Sequence, residues 1–245
     1  MKLSVLGSSS SGNSYILEAS DGCLVIECGL PLIEVKKAID FKIGRIYGAI
    51  VSHQHGDHAK FIGEYLNSAI RVCALKEVFD AHTLKQRTFC KEIAPMRGYK
   101  IGSFSVFTLP VAHDVPCLGF VIEHPEMGKL LFVTDTMLFE YRIANLSHIM
   151  IEANYSDEIL DYNIDNGITP ASVRSRLLQS HMEIKTTENI LLSSNLDSVN
   201  EIILIHLSGH NSDADVFKQR IEAKTGKPVT IARRGVVIDV SKEPY

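Results

Sequence analysis

Three imidazoles and a carboxylate lie within six residues of the segment Val51-Ser52-His53-Gln54-His55-Gly56-Asp57-His58, directly after an apolar run. His53 and His55 are two positions apart, so at the end of an extended strand their side chains leave the same face and can bind one metal ion. Asp57 and His58 follow a glycine that lets the chain turn, so we expect them to point towards a second ion. Only 10 of the 245 residues are His, which disfavours the alternative of a chance cluster in a solvated turn.

The spacing resembles the His-x-His-x-Asp-His signature of the metallo-beta-lactamase-fold hydrolases. That resemblance implies three further ligands, in order along the chain: a His after an edge-like strand, an Asp after a buried strand and a His closing a late strand. His113, Asp135 and His206 stand in these places, at the ends of the extended runs 101–111, 129–134 and 201–206. A lone His at a strand end is more often structural, so the prediction depends on the common placement and the order of the set.

The resemblance implies a dinuclear centre in which one Asp bridges the two ions. The predicted ligands of the first ion are His53, His55 and His113, those of the second are Asp57, His58 and His206, and the bridge is Asp135. Nitrogen-rich ligation favours zinc, while a bridging carboxylate site also accepts manganese. Two such ions would lower the pKa of a bound water towards neutrality and stabilise negative charge on a substrate. We count Asp57 both as a ligand and as a catalytic residue.

Short β-branched runs recur through the first half of the chain, with helical periodicity between them. Strands are predicted at 2–6, 14–18, 23–28, 47–52, 70–74, 104–109, 118–123, 129–134, 201–206, 228–232 and 236–240, and helices at about 31–40, 58–67, 75–87 and 212–224. This pattern suits two sheets packed face to face with helices outside, an α/β chain of the four-layer αββα metallo-beta-lactamase type. We predict a single domain over residues 1–245, in which a helical stretch at about 155–200 forms a small lid.

Peripheral motifs resemble one branch of that superfamily, the YycJ-type proteins, which are regarded as phosphodiesterases or exonucleases. The resemblance spans nearly the whole chain and is carried by three segments: the serine and glycine loop 7–14, the segment 151–154 and His206-Leu207-Ser208. Ser180-His181-Met182 lies where the branch has Gly-His-Leu-Ser-Asn, with Met182-Glu183 in place of Leu-Ser. We assign His181 a catalytic role, in which it contacts the scissile phosphate or protonates the leaving oxygen. A histidine that merely packs within the helical region is the alternative.

Other side chains near these motifs have weaker patterns. The serine loop could line a phosphate pocket or form a flexible turn. Glu27, which stands where the family has Asp, could orient a ligand His or be an ordinary buried acid. His210 could touch the site or belong to a helix-capping loop. Candidate phosphate contacts are Arg174, Arg176, Lys185, Arg233 and Arg234.

Composition limits the class of protein. The formal charge of −4 gives no global attraction for a nucleic-acid backbone, so any such contact must be local. Five cysteines without a CxxC pair favour reduced thiols in a cytoplasmic protein. The sequence shows neither a leader pattern nor a run of about 20 apolar residues, so we expect neither secretion nor membrane insertion.

The sequence therefore predicts a metal-dependent phosphodiesterase that acts on nucleic-acid ends, short single strands or nucleotides. Its alternatives are a cyclic-nucleotide phosphodiesterase, a hydrolase of lactams, thioesters or lactones on the same fold, and a metal-stabilised binding protein without catalysis. The complete ligand set disfavours the last of these.

Overall fold

The computed structural model describes residues 1–243. Fourteen strands are present within these residues: β1 (Lys2–Gly7), β2 (Ser14–Glu18), β3 (Cys23–Ile26), β4 (Ile46–Ile50), β5 (Val72–Ala74), β6 (Cys90–Glu92), β7 (Gly98–Ile101), β8 (Phe104–Val111), β9 (Cys117–His124), β10 (Gly128–Val133), β11 (His148–Glu152), β12 (Glu201–Ile205), β13 (Val229–Ile231) and β14 (Val237–Asp239). The helices are α1 (Leu32–Ala38), α2 (Gly56–Ala59), α3 (Ile62–Asn67), α4 (Lys76–Asp80), α5 (Asp157–Asp165), α6 (Ser172–Ser180), α7 (Ile184–Ser193) and α8 (Ala214–Thr225), with a 3₁₀ turn at Ile43–Arg45.

The strands form two seven-stranded sheets with the same internal plan. The first has the order β14-β1-β2-β3-β4-β5-β6 and the second the order β13-β12-β11-β10-β9-β8-β7. In each sheet four neighbouring strands pair antiparallel and the remaining strands pair parallel, beyond β3 in the first sheet and beyond β10 in the second. The parallel halves direct the carboxyl ends of their strands to one edge, where ligand sites commonly lie.

Apolar packing builds four layers. The largest buried cluster joins side chains of both sheets, such as Val25 and Phe132, and includes Leu32, Tyr65 and Phe79 from α1, α3 and α4. A second cluster packs the other face of the second sheet against helices α7 and α8. The predicted four-layer αββα arrangement is therefore confirmed.

Within the predicted lid range of 155–200, the helices pack in two different ways. Helix α7 belongs to the outer layer of the second sheet. Helices α5 and α6 instead share a small apolar cluster made by Tyr155, Leu160 and Leu177. A short element with so few buried neighbours is expected to open more readily than the sheets beneath it.

Two of the predicted helices are too long, and hydrogen bonds explain why. The predicted helix at 58–67 is divided between α2 and α3, because the Asp57 carbonyl accepts from the Asn13 N–H at 2.7 Å and the Phe61 N–H donates to Cys28 at 3.0 Å. Neither group is then available for the helical bond between them. The helix predicted at 75–87 ends at Asp80, where the Arg87 guanidinium donates to the Phe79 carbonyl at 3.0 Å.

Some strand predictions are wrong, because these strands depend on pairing with neighbouring strands and not on a pattern in their own sequence. The run 101–111 is not continuous, because a turn with Gly102 at φ +59° separates β7 from β8. Strand β8 is therefore not an edge strand; β7 is. The sequence pattern does not predict strands β6, β7 and β11. Within residues 1–243 no helix is long and apolar enough to cross a membrane.

Candidate metal centre

The predicted ligands converge at one edge of the two sheets. Four of them come after β4: His53, His55, Asp57 and His58. Asp135 lies two residues after the end of β10, and His206 directly follows β12. His113 follows β8, which runs in the same direction as β10 because both are antiparallel to β9. The short helix α2 supplies the change of direction that is expected after Gly56.

The first group contains His53, His55, His113 and Asp135, whose ligand atoms all lie within 4.8 Å of one another. The Nε2 atom of His113 lies 3.2 Å from Nδ1 of His55 and 4.0 Å from Oδ2 of Asp135. The Nε2 atom of His53 lies 3.6 Å from the same Oδ2.

The second group contains Asp57, His58, His206 and Asp135, again within 4.8 Å. Nε2 of His58 lies 3.3 Å from Oδ2 of Asp57 and 3.4 Å from Oδ2 of Asp135. Nε2 of His206 lies 3.4 Å from Oδ2 of Asp57. The Oδ2 atom of Asp135 is thus common to both groups, as a bridging carboxylate requires.

Unpartnered nitrogens support a metal site. Nε2 of His53 and Nε2 of His206 are buried and have no hydrogen-bond partner within residues 1–243. An unpaired buried polar atom is costly, and both atoms face the ligand groups. Two ligands about 2.0–2.1 Å from one zinc ion in tetrahedral geometry are roughly 3.3 Å apart, close to the separations found here. The residues of each group therefore fit a divalent cation.

The backbone is strained where it positions these side chains. Asp135 has φ +46° and His206 has φ +53°, and Glu27, just beyond β3, has φ +66°. A non-glycine residue in the left-handed region costs on the order of 1–3 kcal/mol, and such strain collects at functional sites. In each case the strand ends immediately before or near the strained residue, and the side chain then contacts other residues of the site.

A second layer of groups holds the second ligand set. The carboxylate of Glu27 is fully buried and lies 3.4 Å from Nδ1 of His58, and it also accepts the Ser52 N–H at 3.2 Å. The Asn13 side chain lies 3.1 Å from Nε2 of His58 and 3.3 Å from the Asp57 carboxylate. Glu27 therefore occupies the place expected of a group that orients a ligand His.

Glu152 and His181 form the part of the site that the ligand pattern does not identify. Glu152, at the end of β11, is fully buried, and its Oε1 atom lies 2.7 Å from Nδ1 of His181. The same oxygen lies 3.4 Å from Nδ1 of His206. Its second oxygen accepts the N–H groups of Thr136 and Met182, both at 3.3 Å. Only the family resemblance marks the segment 151–154 in the sequence, because a lone Glu in a buried strand has no spacing signal.

The buried carboxylates and imidazoles of this site shift the pKa values of one another. Burial raises the pKa of Asp135, but His206 and His58 outweigh it and hold that pKa well below its usual range. Burial opposes protonation of His58 and of His206, yet the Asp135 carboxylate raises the pKa of each well above normal. For His181 burial is likewise outweighed, because Glu152 raises its pKa. The buried carboxylates thus demand positive charge, which protons or metal ions can supply.

A cleft of about 620 Å³ is lined by five of the predicted ligands and by His181; the five are His55, Asp57, His113, Asp135 and His206. Helix α6 forms one wall with Val173, Arg176 and Leu177, and His181 lies at its end. Asn154, Asn211, Ser10, Ser180 and Ser208 add hydrogen-bonding groups to the wall.

The remaining candidates lie elsewhere or are paired. Arg174 pairs with Asp161 and Lys185 with Glu158. His210 is exposed and does not line the cleft. Arg233 and Arg234 line a neighbouring cavity.

One further cluster of potential ligands lies on a different part of the surface. Asp21, His124 and Glu126 come within 4.8 Å of one another. Both ring nitrogens of His124 have protein partners, since Nε2 lies 3.0 Å from the Ser103 hydroxyl and Nδ1 accepts the Glu126 N–H at 3.2 Å. These hydrogen bonds account for the cluster without a ligand.

Comparison with known proteins agrees with the geometry. The family model described as Metallo-beta-lactamase superfamily matches residues 9–70. Exodeoxyribonuclease YycJ of Bacillus anthracis is 24% identical over 237 residues, covering 90% of this chain and 88% of that protein. Exodeoxyribonuclease WalJ of Streptococcus pneumoniae serotype 2 (strain D39) is 25% identical over 227 residues, covering 86% and 83%. The crystal structure of the metallo-beta-lactamase fold protein YhfI from Bacillus subtilis matches with a TM-score of 0.72 and 19% identity, covering 97% and 99% of the two chains.

Proposed function

We propose that this chain, which has the metallo-beta-lactamase fold and carries a domain of that superfamily, is a dinuclear metal-dependent phosphodiesterase. Its substrates are nucleic-acid ends, short single strands or nucleotides. The observation that carries the proposal is the pair of ligand groups joined at Oδ2 of Asp135, with a further histidine, His181, held beside them by Glu152. The relatives named as exodeoxyribonucleases match over most of their own length and support this substrate class.

The residues assigned to the first ion are His53, His55 and His113, those assigned to the second are Asp57, His58 and His206, and Asp135 is assigned to both. When bound, two zinc or manganese ions bring the pKa of a water towards neutrality and stabilise negative charge on a phosphoryl group. Glu27 and Asn13 keep His58 and Asp57 in place, so the ligand geometry exists before substrate binds.

The walls of the cleft suit a phosphodiester better than a carbonyl substrate. Arg176 is exposed and makes no ion pair within residues 1–243, so it can meet a phosphate oxygen. The hydroxyls of Ser10 and Ser208 and the amide of Asn211 also line the cleft. A free guanidinium together with several hydrogen-bonding groups favours binding of an anionic ester.

His181 is assigned to protonate the leaving oxygen. Its Nδ1 atom is taken by Glu152, so Nε2 is the nitrogen available to the cleft. Glu152 keeps a proton on the ring because the carboxylate stabilises the imidazolium form. An alkoxide leaving group needs such a proton, and general-acid assistance is typically worth about 10²–10⁴-fold in rate.

Helices α5 and α6 act as a lid over this reaction. They pack through a small apolar cluster of their own, and α6 forms a wall of the cleft. An element of low local stability over an active site can admit a substrate and then exclude water.

Turnover of three substrates tests the proposal: end-labelled single-stranded DNA, bis-p-nitrophenyl phosphate and a lactam, each with zinc or manganese. The chain is expected to hydrolyse the two phosphodiesters and to leave the lactam intact. Asp135→Ala is expected to lose metal and all turnover while keeping the folded far-UV spectrum, because sheet packing does not depend on this side chain. Robust lactam turnover without phosphodiester cleavage would overturn the assignment.

A further inference from the structure

A second cavity of about 460 Å³ adjoins the metal cleft. The two cavities share Leu207 and Ser208, and the loop after β1 separates them elsewhere. Ser10 of that loop lines the cleft, whereas Ser9 and Ser11 line the second cavity. A chain molecule lying in the cleft can therefore continue over the loop. We call the second cavity the serine groove; it is bounded by residues 6–12, 207–212 and 231–234.

Several hydrogen-bond donors of the serine groove have no acceptor within residues 1–243. The Ser9 hydroxyl accepts the Ser11 N–H at 3.2 Å, and the Ser208 hydroxyl accepts the Asn211 N–H at 3.2 Å. Within residues 1–243 neither hydroxyl donates to a protein atom, so each keeps its own proton for a ligand. The successive backbone N–H groups of Ser8, Ser9 and Ser10 also have no protein acceptor in the part of the chain that the structure describes. Successive N–H groups in a turn form a concavity that favours anions.

Two arginines also line the groove, Arg233 and Arg234. Arg233 pairs with Asp215 at 3.1 Å and Arg234 with Glu34 at 2.6 Å, and both guanidinium groups are mostly exposed. Exposed ion pairs of this kind contribute little stability, so a phosphate can replace either carboxylate at small cost. The first N–H groups of α8 are not available, because the Asp213 carboxylate already accepts two of them.

We propose that the serine groove binds the nucleotide next to the scissile phosphate, with its phosphate between the serine donors and the two arginines. This inference rests on the proposed phosphodiesterase function and adds the substrate class, a strand of at least two nucleotides. A volume of about 460 Å³ lies within the range of roughly 300–1,000 Å³ that small-molecule sites occupy. A small phosphodiester without a neighbouring nucleotide fills the metal cleft alone.

The test compares a tetranucleotide with bis-p-nitrophenyl phosphate in the double variant Arg233→Ala/Arg234→Ala. Its matched control is Lys85→Ala/Lys91→Ala, which removes two exposed positive charges away from both cavities. The arginine variant is expected to raise KM for the tetranucleotide about tenfold while the small substrate stays within twofold. The log–log slope of tetranucleotide binding against salt concentration should become shallower by roughly 0.7 for each phosphate that the variant no longer neutralises. The control should match wild type on both substrates.

A steric variant, Ser11→Phe, provides a second test, because the Ser11 hydroxyl makes no hydrogen bond within residues 1–243 and a phenyl ring would fill the groove. It too should impair only the tetranucleotide. Equal losses of activity on both substrates, or unchanged tetranucleotide kinetics in both variants, would overturn the inference.

If the wild type hydrolyses neither substrate, the proposed function fails, and the groove is then judged by binding alone. Fluorescence anisotropy of a labelled, non-cleavable tetranucleotide should show weaker binding to the arginine variant than to wild type and control. Equal affinities would refute the groove.

Discussion

Gly29, just after β3, lies against the backbone of the turn that carries Asp57. A Cβ atom at this position would lie 1.7 Å from the Asp57 carbonyl oxygen and 2.7 Å from the Asn13 nitrogen. Hydrogen bonds hold the two segments together at this point. The Cys28 N–H donates to the His58 carbonyl at 2.7 Å, and the Asn13 N–H donates to the Asp57 carbonyl at 2.7 Å. To reach an ordinary separation of 3.4 Å the two segments must move apart by about 1.7 Å. Metal ligands tolerate displacements of only about 0.2 Å.

Gly29→Ala is therefore expected to release the second ion while the first is retained. Overpacking of this size costs roughly 1–3 kcal/mol, which corresponds to a fall of about 2–12 °C in Tm for a chain of this length. Metal analysis after reconstitution should give about one ion per chain, and phosphodiester turnover should fall at least about a hundredfold.

Gly63→Ala is the control for this substitution. A Cβ there meets nothing within 4 Å, and the residue lies inside α3. Alanine in a helix should raise stability by up to about 1 kcal/mol and leave metal content unchanged. Two ions and normal turnover in Gly29→Ala would refute the claim that this close approach positions Asp57 and His58.

The proposed proton donor, His181, and one buried histidine, His148, give the remaining predictions. His181→Ala should keep both ions yet lose at least about tenfold in turnover of an unactivated phosphodiester. The loss should be smaller on a p-nitrophenyl ester, whose leaving group needs no proton. Near-wild-type rates on both substrates would leave His181 a packing residue. Glu152→Gln should reproduce this leaving-group pattern because Glu152 holds and charges His181, and a loss independent of the leaving group would contradict that role. Burial lowers the pKa of His148 to about 4, so the unfolded chain takes up a proton below about pH 6.5 while the folded chain does not. Between pH 7.5 and pH 5 the free energy of unfolding should therefore fall by about 2 kcal/mol more in wild type than in His148→Leu. Urea unfolding at both pH values measures this, and an equal fall in the two proteins would contradict it.

The candidate metal ligands can be located from sequence because their spacing follows from local geometry. His53 and His55 need only a strand end, and His113, Asp135 and His206 need only apolar runs that stop at one edge of the sheets. The left-handed backbone at Asp135 and His206 cannot be predicted in this way, since it is imposed by the surrounding packing.

Interactions between distant segments explain what the sequence pattern misses. The break between α2 and α3 depends on hydrogen bonds from Asn13 and to Cys28, which come from the first sheet. Glu152 gains its role only because β11 lies between β10 and β12 and its carboxylate therefore reaches His181. The serine groove likewise joins segments about 200 residues apart in the chain.

The proposed phosphodiester hydrolysis depends on two ions held by one bridging carboxylate. The most direct measurement is a titration of the metal-free chain with zinc, and separately with manganese, while bis-p-nitrophenyl phosphate hydrolysis is followed. Activity is predicted to rise until two equivalents per chain are bound and then to remain constant. A plateau at one equivalent, or no hydrolysis with either metal at two bound equivalents, would contradict the account.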